Sequence, residues 1–403
     1  MPDYDVIIVG GGPAGSTTAR GVAQSGLSIL LVDKETFPRA KPCAGGVIEL
    51  VRHTLDFSID EVVQREVYGH HLFSPSGLMV DTTQDEKSGC MVMRSEFDDL
   101  LLRKARDAGA EVREDVRIDK ALQDSNGVTV TTSQGESISA KYLVGADGIN
   151  STVAKEIGFY DGWKKDSAAV CIEVEAEVGE ETVERICGVP FDKDGVALHI
   201  YFGKVPHGYI WCFPKRSILS LGAGCRQDLA KNMRSHFTDW LEQFKRDNEV
   251  ELEIISDTSA RIPYSGAAKK TVLGRTLIVG DAAGFVSPFS GEGLSMAVMS
   301  GIHASTALEQ ANQRQDPRLL RMYEKDWKRD FGDNLKVGKS LAKLMFKSEK
   351  NMETILRLGY DDEHIREIMY RMIAGLHSYR SLRNALVKRI LRKHPRAGLS
   401  LYV

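Results

Sequence analysis

Apolar residues run almost unbroken through residues 4–9 (YDVIIV), the pattern of a strand buried on both faces. A glycine-rich turn, Gly10 to Gly15, follows, and the small residues of 14–25 predict a helix. A second apolar run over residues 28–32 ends on Asp33. Two later strands follow the same design. Residues 142–151 (YLVGADGINS) run into Asp147-Gly148, and residues 277–281 (LIVGD) run into a turn and a helix beginning near Gly291. Residues 70–95, ahead of both, and 161–265, between them, alternate apolar and polar, as in 196–202 (VALHIYF), and predict an antiparallel sheet. From residue 311 the spacing is helical. The chain therefore reads as α/β (α+β overall): a Rossmann-like domain over 1–70, 95–160 and 272–310, an antiparallel-sheet domain over 71–94 and 161–271, and a helical C-terminal region over 311–403.

The order strand, GxGxxG, helix, strand, acid is a dinucleotide fingerprint. Gly10 permits the tight turn, Gly12 lets the backbone approach a pyrophosphate, and Gly15 lets the helix pack closely on the strand. The helix N-terminus, at Ala14, offers N–H groups and partial positive charge to phosphate. Asp33 is placed for a ribose 2′-hydroxyl, and its charge repels a 2′-phosphate, which argues against NADP here.

The length of 403 residues suggests two or three domains, and 42% hydrophobic residues suffice for full cores. A net charge of −3 gives no pull toward nucleic acid. With no apolar run of membrane-spanning length and no signal-peptide pattern, the expected location is cytoplasmic. Six cysteines are scattered without CxxC or zinc spacing, so free thiols, most of them buried, and no metal are expected. GxSxG, HExxH and Walker A patterns are missing, which leaves a nucleophilic hydrolase, a zinc enzyme and a P-loop protein unsupported.

The fingerprint, the Asp147-Gly148 segment and the Gly280-Asp281 segment together resemble the p-hydroxybenzoate hydroxylase superfamily of flavoproteins, and this implies FAD. The resemblance assigns Asp281 to the ribityl chain and Gly293 and Leu294 to the helix end facing the flavin. Such an end would stabilise an anionic reduced ring. Arg94 and Val116 match further positions that hold FAD. Residues 206–215 (PHGYIWCFPK) place Tyr209, Trp211 and Phe213 on one strand face. This string and the loop 41–46 (KPCAGG) resemble the geranylgeranyl reductase family, as does the pattern Tyr323, Trp327, Phe331-Gly332. The resemblance spans essentially the whole chain and implies saturation of C=C bonds in a geranylgeranyl chain carried by a lipid, a chlorophyll precursor, a prenyl diphosphate or a quinone. It sets Cys43, Ala44 and Gly46 beside the flavin, with Cys43 as proton donor or packing residue, and it lines an apolar tunnel with Tyr209 and Trp211. The electron donor, NAD(P)H or ferredoxin, is left open, as is the oligomeric state. A flavin monooxygenase of the same superfamily and a flavoprotein electron carrier remain alternatives. YIWCFP departs from the W-x-W-x-I-P string of halogenases.

Residues 376–403 hold no acid and seven basic residues: Arg380, Arg383, Lys388, Arg389, Arg392, Lys393 and Arg396. Leu382, Leu386 and Ile390 recur among them at helical spacing. A basic amphipathic helix of this kind either packs on the protein or lies on an anionic membrane surface.

Overall fold

β1 (Tyr4–Val9), helix α1 (Pro13–Gln24) and β2 (Ile29–Val32) follow one another as the hydrophobic pattern dictates. The structure, a computed structural model, describes residues 2–402. Its chain forms two units, each assembled from three segments: Met1–Lys41, Arg94–Lys164 and Pro263–Leu335 make the first, and Pro42–Met93, Lys165–Ile262 and Lys336–Val403 the second.

The first unit is built on a parallel sheet in the order Thr276–Ile278, Ser137–Gly145, β1, β2, Glu111–Arg113. Parallel strands need both faces covered, and the residues comply: Ile7, Ile8, Leu30, Leu31, Leu143 and Val144 are wholly buried. α1 packs against the Leu294–Gln313 helix so closely that a Cβ on Gly301 would stand 2.7 Å from the Ala14 carbonyl oxygen. Tyr323, Trp327 and Phe331 close this core. The Tyr323 hydroxyl donates to the Ile278 carbonyl and the Trp327 indole to Thr271 Oγ1. Residues up to Leu335 thus pack with the dinucleotide-type sheet, whereas the helical expectation had grouped everything from 311 onward; the aromatic triplet is what ties them there.

The second unit carries a ten-stranded mixed sheet. The strands Ala168–Glu177, Ile218–Arg226, Gly208–Pro214 and Asp192–Phe202 are antiparallel neighbours. One pair departs from the antiparallel expectation: Val63–Phe73 runs parallel to Asp192–Phe202. These two strands lie far apart in sequence, so no hairpin dictates their direction. Gly46–Ile48 and Gly89–Val92 also pair in this sheet, so Pro42 onward groups here although the sequence pattern assigned 42–70 to the first domain.

Period-two alternation divides this sheet into two faces. Ile172, Val174, Ile210, Cys212, Leu219 and Leu221 pack against Phe237, Trp240 and Phe244 of the Met233–Asn248 helix. The other face bears Glu173, Gly222 and Trp211, in register across three strands.

Among the described residues, no helix is long and apolar enough to cross a membrane.

Candidate functional site

In the first unit, the turn after β1 forms a cradle that tolerates no side chains. Gly10 has φ +108°, and a Cβ there would lie 2.3 Å from the Ala146 carbonyl oxygen. A Cβ on Gly15 would meet the Gly10 oxygen at 1.8 Å. Gly12 caps α1 without a side-chain acceptor, so the first N–H groups of the helix face outward from the turn. Ala14 is buried in the first turn.

Asp33, at the end of β2, is buried and fixes this turn. Its Oδ2 accepts from Gly11 N at 2.6 Å and its Oδ1 from Glu35 N at 2.9 Å. Val116 donates its N–H to the Asp33 carbonyl at 2.9 Å, which places it against the same corner.

The Arg94–Asp107 helix opens beside the cradle. Arg94 forms a buried two-pronged pair with Asp98, both contacts 2.8 Å. Asp98 holds a second guanidinium, Arg39, at 3.2 Å, and Arg39 also stacks on the Phe37 ring at 4.6 Å. Arg39 Nη1 is buried with no hydrogen-bond partner among the described residues, and Nη2 stands nearest to the open side of Gly12. An unpartnered buried donor on a glycine-rich turn is what a pyrophosphate requires. Arg39 escaped the sequence reading; its signal was a basic residue in the loop just past Asp33.

Asp281 lies in the short turn Gly280–Ala283 that follows the Thr276–Ile278 strand. Burial pushes its carboxyl above the ordinary range, with Lys41 and Arg94 pulling the other way. Its carboxylate takes no hydrogen bond among the described residues, so it is placed to accept from polyol hydroxyls. The Leu294–Gln313 helix starts three residues beyond the expected Gly291, capped at Gly293. Glu292 explains the offset: its carboxylate accepts from Ser295 N and Ser295 Oγ, both at 2.7 Å. Burial raises the Glu292 carboxyl, against the hydrogen bonds from Ser295. The helix end therefore already carries an acid on one of its N–H groups. Gly10, Gly12, Ala14, Gly15, Asp33, Arg94, Val116, Asp281, Gly293 and Leu294 all belong to this one unit, and the cradle, the orphaned Arg39 donor and the open Asp281 acceptor fit a dinucleotide with a polyol chain.

The second unit brings the other two motifs together. The Cys43 N–H donates to Glu173 Oε2 at 2.7 Å, and the Cys43 side chain is half-buried. Glu173 is buried on the aromatic face, where its Oε1 accepts from Ser220 Oγ at 2.5 Å. Ser220 accepts in turn from the Trp211 indole at 3.3 Å. Burial raises the Glu173 carboxyl, opposed by Ser220 and Lys215. Lys215 is itself buried and ion-paired to Glu175.

The loop and the strand also meet through shape. A Cβ on Gly45 would strike the Val92 carbonyl oxygen at 2.2 Å, and Gly46 lies against the Phe213 ring. Trp211 spreads over Gly222, where a Cβ would stand 2.2 Å from the indole. Tyr209 sits edge-on to Trp211 with ring centroids 6.3 Å apart. Cys43, Ala44, Gly46, Tyr209 and Trp211 thus share one region of the second unit, organised by Glu173 and Lys215.

The C-terminal helices resolve the amphipathic pattern. In Tyr379–Lys393, Leu382 and Ile390 are buried in the protein, so the expected apolar stripe faces inward. Arg389 is committed to Asp362 at 2.8 Å, alongside His394. A different set of apolar residues points out: Leu376, Val387, Leu391 and Leu399, of which Leu391 is 65% and Leu399 71% exposed.

Comparison with known proteins matches residues 3–331 to the FAD binding domain family. The digeranylgeranylglycerophospholipid reductase of Methanocaldococcus jannaschii is 30% identical over 383 residues, covering 92% of this chain and 95% of that protein. A geranylgeranyl bacteriochlorophyll reductase-like protein of Thermoplasma acidophilum superposes with a TM-score of 0.81 at 22% identity, over 99% of this chain and 98% of its own. A flavin-dependent brominase has the same fold, with a TM-score of 0.70 at 20% identity over 97% of this chain and all of its own.

Proposed function

We infer, since the chain belongs to the FAD binding domain family and within it to the geranylgeranyl reductases, that it reduces the isolated C=C bonds of geranylgeranyl chains on a glycerophospholipid. The observation that carries this reading is the hydrogen-bond chain from the Cys43 N–H through Glu173 and Ser220 to the Trp211 indole, because it joins the two motifs that mark the family. The glycerophospholipid head group rests on the named relative at 30% identity.

Gly10, Gly12, Gly15, Asp33, Arg39, Arg94 and Asp281 would hold FAD, with Arg39 on the pyrophosphate and Asp281 on the ribityl chain. Bound FAD, once reduced, supplies the hydride equivalent. An isolated alkene has no carbonyl to polarise, so addition needs a proton at the other carbon. Cys43 is the proposed donor, giving the proton of its S–H. Its S–H breaks as the new C–H forms, and solvent returns the proton to sulfur. Each double bond thereby gains two hydrogens. Tyr209 and Trp211 present ring faces to the chain and to the positive charge that builds on the more substituted carbon. Burying a chain of 20 carbons at about 0.8 kcal/mol per methylene gives more than about 10 kcal/mol gross, so few polar contacts are needed.

Peripheral contact with an anionic membrane is part of the proposal. Leu391 and Leu399 stand exposed among Arg392, Lys393 and Arg396, a segment without acids, and a lipid substrate resides in such a surface.

The test is anaerobic incubation of the dithionite-reduced holoenzyme with a digeranylgeranyl glycerophospholipid or with geranylgeranyl diphosphate, followed by mass spectrometry. Gains in steps of two mass units on the lipid support the reading. No gain on either substrate, with oxygen uptake in air, would move the assignment to a monooxygenase.

A further inference from the structure

Directly behind the aromatic strand lies a second cluster that the reduction chemistry does not use. Cys212 follows Trp211 in the same strand and therefore points to the opposite face. There it meets His199, its direct partner across the antiparallel pair, and Cys187, the last residue of the Glu180–Cys187 helix. The two sulfurs are 4.0 Å apart, and the two thiols and the imidazole all lie within 4.8 Å of one another. All three side chains are buried, at 0%, 5% and 0% exposure.

We propose that Cys187, His199 and Cys212 form a structural zinc site. Tetrahedral zinc, with Zn–S near 2.3 Å and Zn–N near 2.0 Å, sets its ligand atoms roughly 3.5–3.8 Å apart. The donors need only close by a fraction of an ångström to about one. Two thiolates and a neutral imidazole cancel the charge of the ion, so the assembled centre can be buried without an uncompensated charge. Thiolate with imidazole is a donor set that suits zinc, whereas calcium and magnesium take oxygen.

The surroundings carry the pattern expected around a metal-bound histidine. His199 Nε2 lies 3.0 Å from His71 Nδ1, and His71 Nε2 lies 3.7 Å from the Asp81 carboxylate. The His71 hydrogen bond on Nε2 fixes the orientation of His199, and Nδ1 would exchange its hydrogen bond with Tyr201 for the ion. The Tyr201 hydroxyl, 3.3 Å from Nδ1, adds an oxygen beside the site. Zinc here would tie the end of the Glu180–Cys187 helix to two strands and so lock the register of Trp211 on the far face.

The spacing of these residues matches no linear zinc pattern, because a helix end and two paired strands supply them. Elemental analysis of the FAD-loaded full-length protein, with cobalt substitution, tests the proposal. The expected result is one zinc per chain and, on exchange, a thiolate-to-cobalt charge-transfer band. Cys212→Ser should lose the metal, and His71→Ala should weaken it about 10- to 100-fold while FAD content holds. Wild-type protein that holds FAD but shows no zinc above trace, and no cobalt band on anaerobic addition, would overturn it. So would a Cys187–Cys212 disulfide in the freshly isolated protein.

Discussion

The backbone N–H of Cys43 and the carboxylate of Glu173 meet at 2.7 Å, across 130 residues of sequence. Glu173 thereby holds a loop that marks the family and, through Ser220, the indole of a second mark. A buried acid in that position costs stability, because burial disfavours its charged form. What it holds offsets that cost: the Cys43 loop and, through Ser220, the Trp211 indole.

Glu173→Gln keeps an acceptor for Cys43 and removes the charge. It should lower prenyl reduction roughly 10-fold or more, the loss of one charge-assisted hydrogen bond, without changing FAD content. It should also change the pH dependence of stability. A carboxyl raised on folding weakens the fold as pH climbs above its unfolded value near 4.3, and the Gln variant lacks that slope. Thermal melts between pH 4 and pH 8 would read the difference as about a few degrees; parallel curves for the two proteins would refute it.

Arg39→Gln should weaken FAD binding about 10- to 100-fold, since a buried guanidinium on a pyrophosphate is a charge-assisted contact. Asp98 would remain paired to Arg94, so the fold should persist. Fluorescence titration of the apoprotein with FAD checks this. Unchanged affinity would remove Arg39 from the cofactor site.

Gly222→Val should displace Trp211, because even a Cβ would stand 2.2 Å from the indole. Overpacking of this kind costs about 1–3 kcal/mol. The expected outcome is a raised KM for the lipid with FAD affinity intact, measured by steady-state assay and titration.

Asp362→Asn should loosen the C-terminal helices. The hydrogen bond from Arg389, with that of His394, holds the Asp362 carboxyl well below the carboxylate range. A lowered pKa contributes stability above the unfolded value of about 3.9, and that contribution fades as pH falls below it. The variant should therefore be about 1–3 kcal/mol less stable at neutral pH, with the gap narrowing below pH 4. Urea unfolding at several pH values would show it.

Leu391→Ser with Leu399→Ser should reduce co-sedimentation with anionic vesicles several-fold and leave activity on a detergent-dispersed lipid intact. Equal vesicle binding would reassign the tail to packing alone.

The sequence exposed the first unit well because its signals are local. β1, the glycine turn, α1, β2 and Asp33 follow one another in a single stretch, and each residue type is dictated by the backbone it must adopt. The aromatic face of the Gly208–Pro214 strand was equally legible from its period of two. Glu173, Arg39 and the cysteine–histidine cluster were not, because their meaning lies in partners brought by strand pairing or by a loop folding back. The tail shows the limit of periodicity from the other side. Leu382 and Ile390 do form a stripe, but the pattern is silent on whether protein or lipid covers it, and the protein does.

The chain passes between its two units after Lys41, Met93, Lys164, Ile262 and Leu335. For a polypeptide emerging from the ribosome this is a demanding order. β1 and β2 come first, yet the strand Thr276–Ile278 that pairs beyond Ser137–Gly145 is among the last strands made. Until it arrives, a hydrophobic parallel sheet waits with an open edge, the state in which chains aggregate. Neither unit corresponds to a continuous stretch of coding sequence. Neither can therefore be trimmed away by truncation from one end of the gene.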